Sequence, residues 1–338
     1  MSSLKNEMIR GDLIGKSVIL DGTKLSLEEA AYSLERKQIT LFEEGIKLEL
    51  RAFLKRASSI LPKFELRFLV FKDIRDRGYY LKAGPLDFRV YPRGVKSGTG
   101  ESRYIIHVLS EREPIAVDMI LQDLELSENL KKRLLYAVVD EEGDITYYEI
   151  KRRDISGSAP PVELSDSVNG DLLDERVMIW NDSTLSELNE RWWFGRLIEE
   201  TRLQLSFVES AYLIEKGSLM LTDPEGEVLN LERFIEISSA IEGNFVKKYL
   251  TYRDLRDRGM VVKTGFKFGS HFRVYEEIPG ETSYHSRYLV HVLIDDREVR
   301  LPEISRAVRL AHGVRKQMIF AVILDERVEY FEARWMRL

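Results

Sequence analysis

Three side chains in the C-terminal half, Tyr275, His285 and Lys316, place a phenol, an imidazole and an ammonium in that order along the chain, at gaps of 10 and 31 positions. An imidazole with an ordinary pKa near 6.5 can hold or release a proton at physiological pH. A phenol titrates near 10 and needs a neighbouring cation before it serves as a base. A lysine supplies a compact positive charge. Taken singly, Tyr275 reads as an edge-strand aromatic and Lys316 as a solvated charge at a strand entry. Any case for chemistry rests on the set.

The chain repeats itself, and the repeat sorts these residues. Tyr252-Arg-Asp-Leu-Arg-Asp-Arg-Gly259 recurs as Phe71-Lys-Asp-Ile-Arg-Asp-Arg-Gly78, and Ser286-Arg-Tyr-Leu-Val-His-Val-Leu293 recurs as Ser102-Arg-Tyr-Ile-Ile-His-Val-Leu109. Tyr275 and Lys316 have counterparts in Tyr91 and Lys132, whereas His285 faces Glu101. Of the five histidines, His291 and His107 match each other inside apolar strand patterns and read as structural; His271, His285 and His312 have no histidine counterpart. His285 follows a loop with Pro279 and Gly280 and precedes a strand, a place from which a side chain can reach a cleft. One working site and one degenerate partner are expected.

The elements that must hold these residues follow the same duplication. Gly15-Lys16 and Gly195-Arg196 each precede an apolar helical pattern, Leu25–Leu34 and Leu205–Ile214. Ser26 and Ser206 stand as N-caps with a glutamate three residues on, a capping-box arrangement. In the second half the pattern predicts a helix over 244–258 stopped by Gly259, then a strand over 260–264 and a glycine-rich basic loop over 265–271. Strands over 272–275 and 287–294, a helix over 303–312 and closing strands over 317–324 and 328–334 follow. The first half runs in the same order, with Asp140-Glu-Glu-Gly-Asp144 as the turn between its last strands. The Ser, Gly, Pro and Asp content of 155–182 reads as a linker. The expected division is 1–154, a linker at 155–185, and 186–338, each repeat an α/β (mixed α+β) unit.

At 338 residues with 32% charged and 44% hydrophobic side chains, the chain is long enough for two cores and has no apolar run of membrane-spanning length. The start, Met1-Ser-Ser-Leu-Lys-Asn-Glu-Met8, lacks a basic segment followed by an apolar one, so a secretory signal is not expected and a cytoplasmic protein is. Zero cysteines remove disulfides, thiolate metal sites and thiol nucleophiles. A net charge of −6 argues against a general polycation but not against a local basic cleft.

The run Gly265-Phe-Lys-Phe-Gly-Ser-His-Phe-Arg-Val-Tyr275, then Pro279, His285-Ser-Arg-Tyr-Leu-Val and Val314-Arg-Lys-Gln317 resembles the catalytic domain of the archaeal tRNA-splicing endonucleases. The likeness extends upstream through Phe194-Gly-Arg and Leu205–Lys216, and the first half resembles the same domain with its site decayed, as in the two-repeat homodimeric type. This resemblance implies two tandem units, each a small N-terminal helical and sheet subdomain plus a restriction-endonuclease-like α/β subdomain with a mixed sheet. It implies intron excision from precursor tRNA at bulge-helix-bulge junctions, without metal or other cofactor, leaving 2′,3′-cyclic phosphate and 5′-hydroxyl ends. By the same resemblance Tyr275 is the general base, His285 the general acid and Lys316 the transition-state cation. Arg309 and Arg334, the latter in a register that could shift to Arg337, are candidates to sandwich an unstacked base, and Arg315 is an assisting RNA contact. Asp140, Glu141, Glu142 and Asp144 form the acidic loop that would dock on the partner protomer. Two rivals stand beside this reading. A metal-dependent nuclease would use Glu35-Arg-Lys37 or Glu149-Ile-Lys151, and a non-catalytic RNA-binding subunit would make His285 incidental.

Overall fold

The computed structural model describes residues 9–95, 98–164, 167–180, 183–280, 285–295, 297–325 and 327–338. The N-terminal run Met1–Met8 lies outside them. The chain separates into two compact units, residues 1–150 with 335–338, and residues 151–334. Each is a mixed α/β unit.

In the first unit a five-stranded sheet of residues 9–48 supports the helix Leu27–Glu35. The capping box at Ser26 is present, with Glu29 reaching back to the Ser26 amide. After the helix Phe64–Asp76 come β1 (Tyr80–Ala83), β2 (Phe88–Tyr91) and β3 (Tyr104–Ser110), then helix α1 (Val117–Asn129), β4 (Arg133–Val139) and β5 (Ile145–Arg153). Strands β1 to β3 run antiparallel, β3 and β4 pair in parallel across the α1 crossover, and β4 and β5 close as a hairpin. Phe71, Phe88, Ile106 and Leu135 belong to one apolar core.

The second unit repeats this order with β6 (Val261–Thr264), β7 (Phe272–Tyr275), β8 (Tyr288–Val292), helix α2 (Leu301–Gly313), β9 (Gln317–Leu324) and β10 (Arg327–Met336). Its register matches the first unit residue for residue: Tyr104 opposite Val90 and Arg133 becomes Tyr288 opposite Val274 and Gln317. The helix Phe245–Asp257 begins one residue after Asn244 and ends just before Arg258 and Gly259, where a left-handed backbone (φ +73°) is required.

The stretch read as a linker differs from that reading. Val168–Leu173 and Arg176–Trp180 are strands of the second unit's small sheet. Residues 168, 170 and 172 are buried and their neighbours exposed, a period-2 alternation that the Asp, Asn and Gly content masks. Gly157, also in this stretch, lies so close to the backbone that a Cβ there would stand 2.3 Å from the Gly259 carbonyl oxygen. The segment is stitched down by hydrogen bonds from Gly157 N to Arg258 O and from Ser158 N to Glu276 O (2.9 and 2.7 Å).

Within the second unit one buried carboxylate ties the small subdomain to β6. Glu209, the capping-box glutamate of the helix Phe207–Glu215, accepts from Ser206 N, Gly195 N and the Lys263 ammonium, each at 2.9 Å. Burial alone raises its carboxyl, but the charge of Lys263 and the bonds from Ser206 outweigh that and hold it below the usual carboxylate range. Glu29 and Lys82 form the corresponding pair in the first unit at 2.8 Å, and are more exposed. Lys263→Met should therefore destabilise the protein by about 3–5 kcal/mol in chemical denaturation, since it strands a buried charge. Lys82→Met should cost clearly less; equal losses would show that burial does not set the difference.

Candidate active site

The register places the three candidate residues at one end of three neighbouring strands. Tyr275 closes β7 one step beyond the Val274–Tyr288 pair, His285 lies three residues ahead of β8, and Lys316 immediately precedes β9 beside Tyr288. Loops and strand ends on a rigid sheet are the usual support for reacting groups.

Tyr275 and His285 line one cavity of about 360 Å³, walled by Ser156, Gly157, Ser158, Glu276, Glu277 and Arg287. His285 is exposed and the Tyr275 residue only 5% so, with Trp193 edge-on to its ring at 5.2 Å. Burial pushes the Tyr275 phenol above its ordinary value, with Arg273 opposing in part. The expectation that a neighbouring cation lowers this phenol is thus half met: the cation is present and burial overrides it. Glu276 is engaged by Arg287 at 2.9 and 3.0 Å and by the Tyr288 hydroxyl at 2.9 Å.

Lys316 does not line that cavity. Its ammonium donates to the carbonyl of Ser286, the residue after His285, at 2.5 Å, and stands 5.8 Å from the centre of the Phe268 ring. Burial and then the charge of Arg273 hold it below the ordinary lysine value. The first unit gives the clearest geometric link: Glu101 and Lys132, at the positions of His285 and Lys316, form an ion pair at 2.7 Å. Side chains at these two positions can meet. In the first unit they neutralise each other.

Sequence reasoning missed three participants. Arg273 acts electrostatically on both Tyr275 and Lys316, and its buried Nε has no hydrogen-bond partner among the described residues. Its signal was the alternation that puts it on the same strand face as Tyr275. Ser156–Ser158 form a cavity wall from within the supposed linker. Trp193 was visible only as an aromatic in a Trp-Trp-Phe run.

The remaining predicted residues lie elsewhere on the second unit. Arg306 and Arg309 are exposed on α2, Arg315 is exposed after its end with φ +56°, and Arg334 is exposed on β10. Among the described residues, none of them lines the cavity of Tyr275 and His285. In the first unit the acidic turn is a built hairpin tip, with Asp140 accepting from Glu142 N and Asp144 N at 3.0 and 2.8 Å and Arg112 beside Glu141 at 3.2 Å. The carboxylates of the rival reading are occupied, Glu35 by Lys72 at 2.7 Å and Glu149 by Arg133 at 2.5 Å.

His107 pairs with Asp123 at 2.7 Å and His291 with Glu303 at 2.9 Å, so the matched histidines are structural. His271 is structural too. Its Nδ1 accepts from Val292 N at 3.0 Å, as Asp87 accepts from Val108 N at 2.6 Å in the first unit.

The fold is a duplicated mixed-sheet unit in which a phenol, an imidazole and an ammonium come from the ends of three neighbouring strands of the second copy. The model of the tRNA intron endonuclease catalytic C-terminal domain matches both repeats, at residues 64–147 and 245–330, and that of the tRNA intron endonuclease N-terminal domain matches 168–235. The chain is 44% identical over 313 residues to a tRNA-splicing endonuclease of Methanosarcina mazei, covering 92% of this chain and 89% of the relative. It is 36% identical over 310 residues to one of Haloarcula marismortui, covering 88% and 84%. The chain belongs to the tRNA intron endonuclease family, enzymes of tRNA splicing. Among the described residues no helix is long and apolar enough to cross a membrane.

Burial holds His271 down to about 4, so it stays neutral in the folded state at pH values where the unfolded chain protonates it. Its folded pKa being depressed, stability should fall as pH drops from about 6.5 to about 4, by roughly 3 kcal/mol in all. His271→Asn, which keeps an acceptor but cannot take a proton, should flatten that part of the curve in denaturant titrations. An unchanged slope would assign it to other groups.

Proposed function

We propose that the chain is a metal-independent RNA endonuclease that excises introns from precursor tRNA at bulge-helix-bulge sites, leaving 2′,3′-cyclic phosphate and 5′-hydroxyl ends. What carries this reading is the cavity shared by Tyr275 and His285, in the one repeat where histidine stands in place of a glutamate that pairs with the lysine. The substrate's 2′-oxygen attacks the adjacent phosphorus as Tyr275, acting as the phenolate, takes its proton. The bond from phosphorus to the 5′-oxygen breaks as His285 delivers a proton to that oxygen. Lys316 stabilises the charge that accumulates on the phosphorane oxygens.

A phenol raised by burial is a strong base seldom present at neutral pH, and Arg273 and the approaching phosphate act on it in opposite directions. In the first repeat Glu101 can neither donate the proton nor leave Lys132 free, so that repeat is non-catalytic. Arg309, with Arg334 as second member, sandwiches an unstacked bulge base between planar guanidinium groups, and Arg315 contacts the backbone. The substrate carries two scissile phosphates set apart by a short helix, and recognition by shape requires two sites at a matching separation. The chain accordingly works as a homodimer, with the acidic turn Asp140–Asp144 of one protomer docked in a basic pocket on the catalytic repeat of the other. The domain reading follows from the same likeness: residues 1–154 as the degenerate repeat, and the remainder, which includes the strands at 168–180, as the catalytic one.

Incubation of the purified chain with an intron-containing precursor tRNA in excess chelator, with end-group analysis, tests the reaction. Cleavage should persist and give cyclic phosphate; activity that returns only with added metal would sink the metal-independent mechanism. His285→Ala should lower the single-turnover rate by about 10²- to 10⁴-fold with RNA binding retained. His285→Glu should fall further, because it captures Lys316 as Glu101 captures Lys132. Rate and binding falling together would favour a binding subunit.

A further inference from the structure

The two repeats differ at a second place. Between the pairs Ala83–Phe88 and Thr264–Phe272 the β-hairpin loop grows from the four residues Gly84–Asp87 to the seven residues Gly265–His271. Its closure is the same in both, Gly84 N to Asp87 O at 3.0 Å and Gly265 N to His271 O at 2.9 Å, so the added residues lie inside the loop. They form one 3-10 turn, Phe266–Phe268.

This turn is held tightly. Phe268 N donates to Gly265 O at 2.8 Å, Gly269 N to Phe266 O at 3.0 Å, and Ser270 Oγ to Phe272 O at 3.2 Å. A Cβ at Gly265 would meet Ser270 Oγ at 2.3 Å. One at Gly269, where φ is +63°, would meet Leu310 of α2 at 2.9 Å. The loop thus fixes Phe268, half-buried, with its ring centre 5.8 Å from the Lys316 ammonium.

We propose that Phe268 is a positioning residue for Lys316, a reading that rests on the catalytic role given to that lysine above. In the first repeat a carboxylate fixes the equivalent ammonium and cancels its charge. In the second, the carboxylate is gone and the ammonium meets the Ser286 carbonyl and the Phe268 ring, both of which attract a cation while carrying no formal charge. Lysine has a flexible four-carbon stem, and restricting it before the substrate arrives removes an ordering cost from the reaction. The three-residue insertion is the device that holds Lys316 without a carboxylate to cancel its charge. It occurs in the repeat that needs such a lysine.

Single-turnover cleavage of an intron-containing precursor tRNA by the full-length chain tests this. Phe268→Ala should slow cleavage roughly tenfold, with precursor binding and Tm unchanged. Phe268→Tyr and Phe268→Trp should restore the rate, whereas Phe268→Leu, which fills similar space without a π face, should stay as slow as Ala. In a Lys316→Ala background Phe268→Ala should cost nothing further. The proposal is overturned if Phe268→Leu cleaves like wild type, if Phe268→Ala has no effect, or if its loss is the same with and without Lys316. Should Lys316→Ala itself cleave at the wild-type rate, the role of that lysine falls and this inference with it. Wild-type failure on the precursor would instead refute the proposed function.

Discussion

Strand register is the constraint on which the site depends. Tyr275, His285 and Lys316 are far apart in sequence, and nothing local brings them together. The antiparallel pairing of β7 with β8 and the parallel pairing of β8 with β9 place the end of one strand and the beginnings of two others at the same edge. A slip of one residue in either pairing would turn the whole apolar set of a strand to the opposite face. Val274, Tyr288, Val290 and Ile319 all belong to the buried core, so the core holds the register and the register holds the site.

The charges around that edge are arranged around unmet demand. Arg273, Lys316 and the buried Tyr275 phenol lie close enough to alter one another, and nothing negative among them cancels the two cations. Glu276, one of two acids in the cavity wall, is committed to Arg287 and Tyr288. The cavity wall itself carries Glu276, Glu277 and Arg287, and the two cations Arg273 and Lys316 do not line it, in a chain of net charge −6. The first repeat reaches the opposite balance with one substitution, since Glu101 satisfies Lys132 within the protein.

Much of this was legible because the chain contains its own comparison. The capping boxes at Ser26 and Ser206, the strands flanking Tyr275 and the α2 crossover are marked by local chemistry, and the structure holds each within one or two residues of the expected bounds. The strands at 168–180 were hidden because Asp171, Asn169 and Gly170 resemble loop composition while their alternation carries the sheet signal. The cavity wall at Ser156–Ser158 was not legible at all. It depends on a close passage of Gly157 over Gly259 between segments a hundred residues apart, and tertiary approach of that kind leaves only an unremarkable glycine in the sequence. The upward displacement of Tyr275 was equally invisible, since burial and Arg273 act in opposite senses and only geometry decides between them.

The Glu101–Lys132 pair and the shorter hairpin at Gly84–Asp87 are two separate differences that set the copies apart. Replacing Glu101 with histidine would release Lys132, but the first unit's hairpin would still be three residues shorter than its counterpart and lack the turn that carries Phe268. An insertion alone would leave the lysine bound to its carboxylate. Neither change alone would reproduce in the first unit the surroundings that Lys316 has in the second.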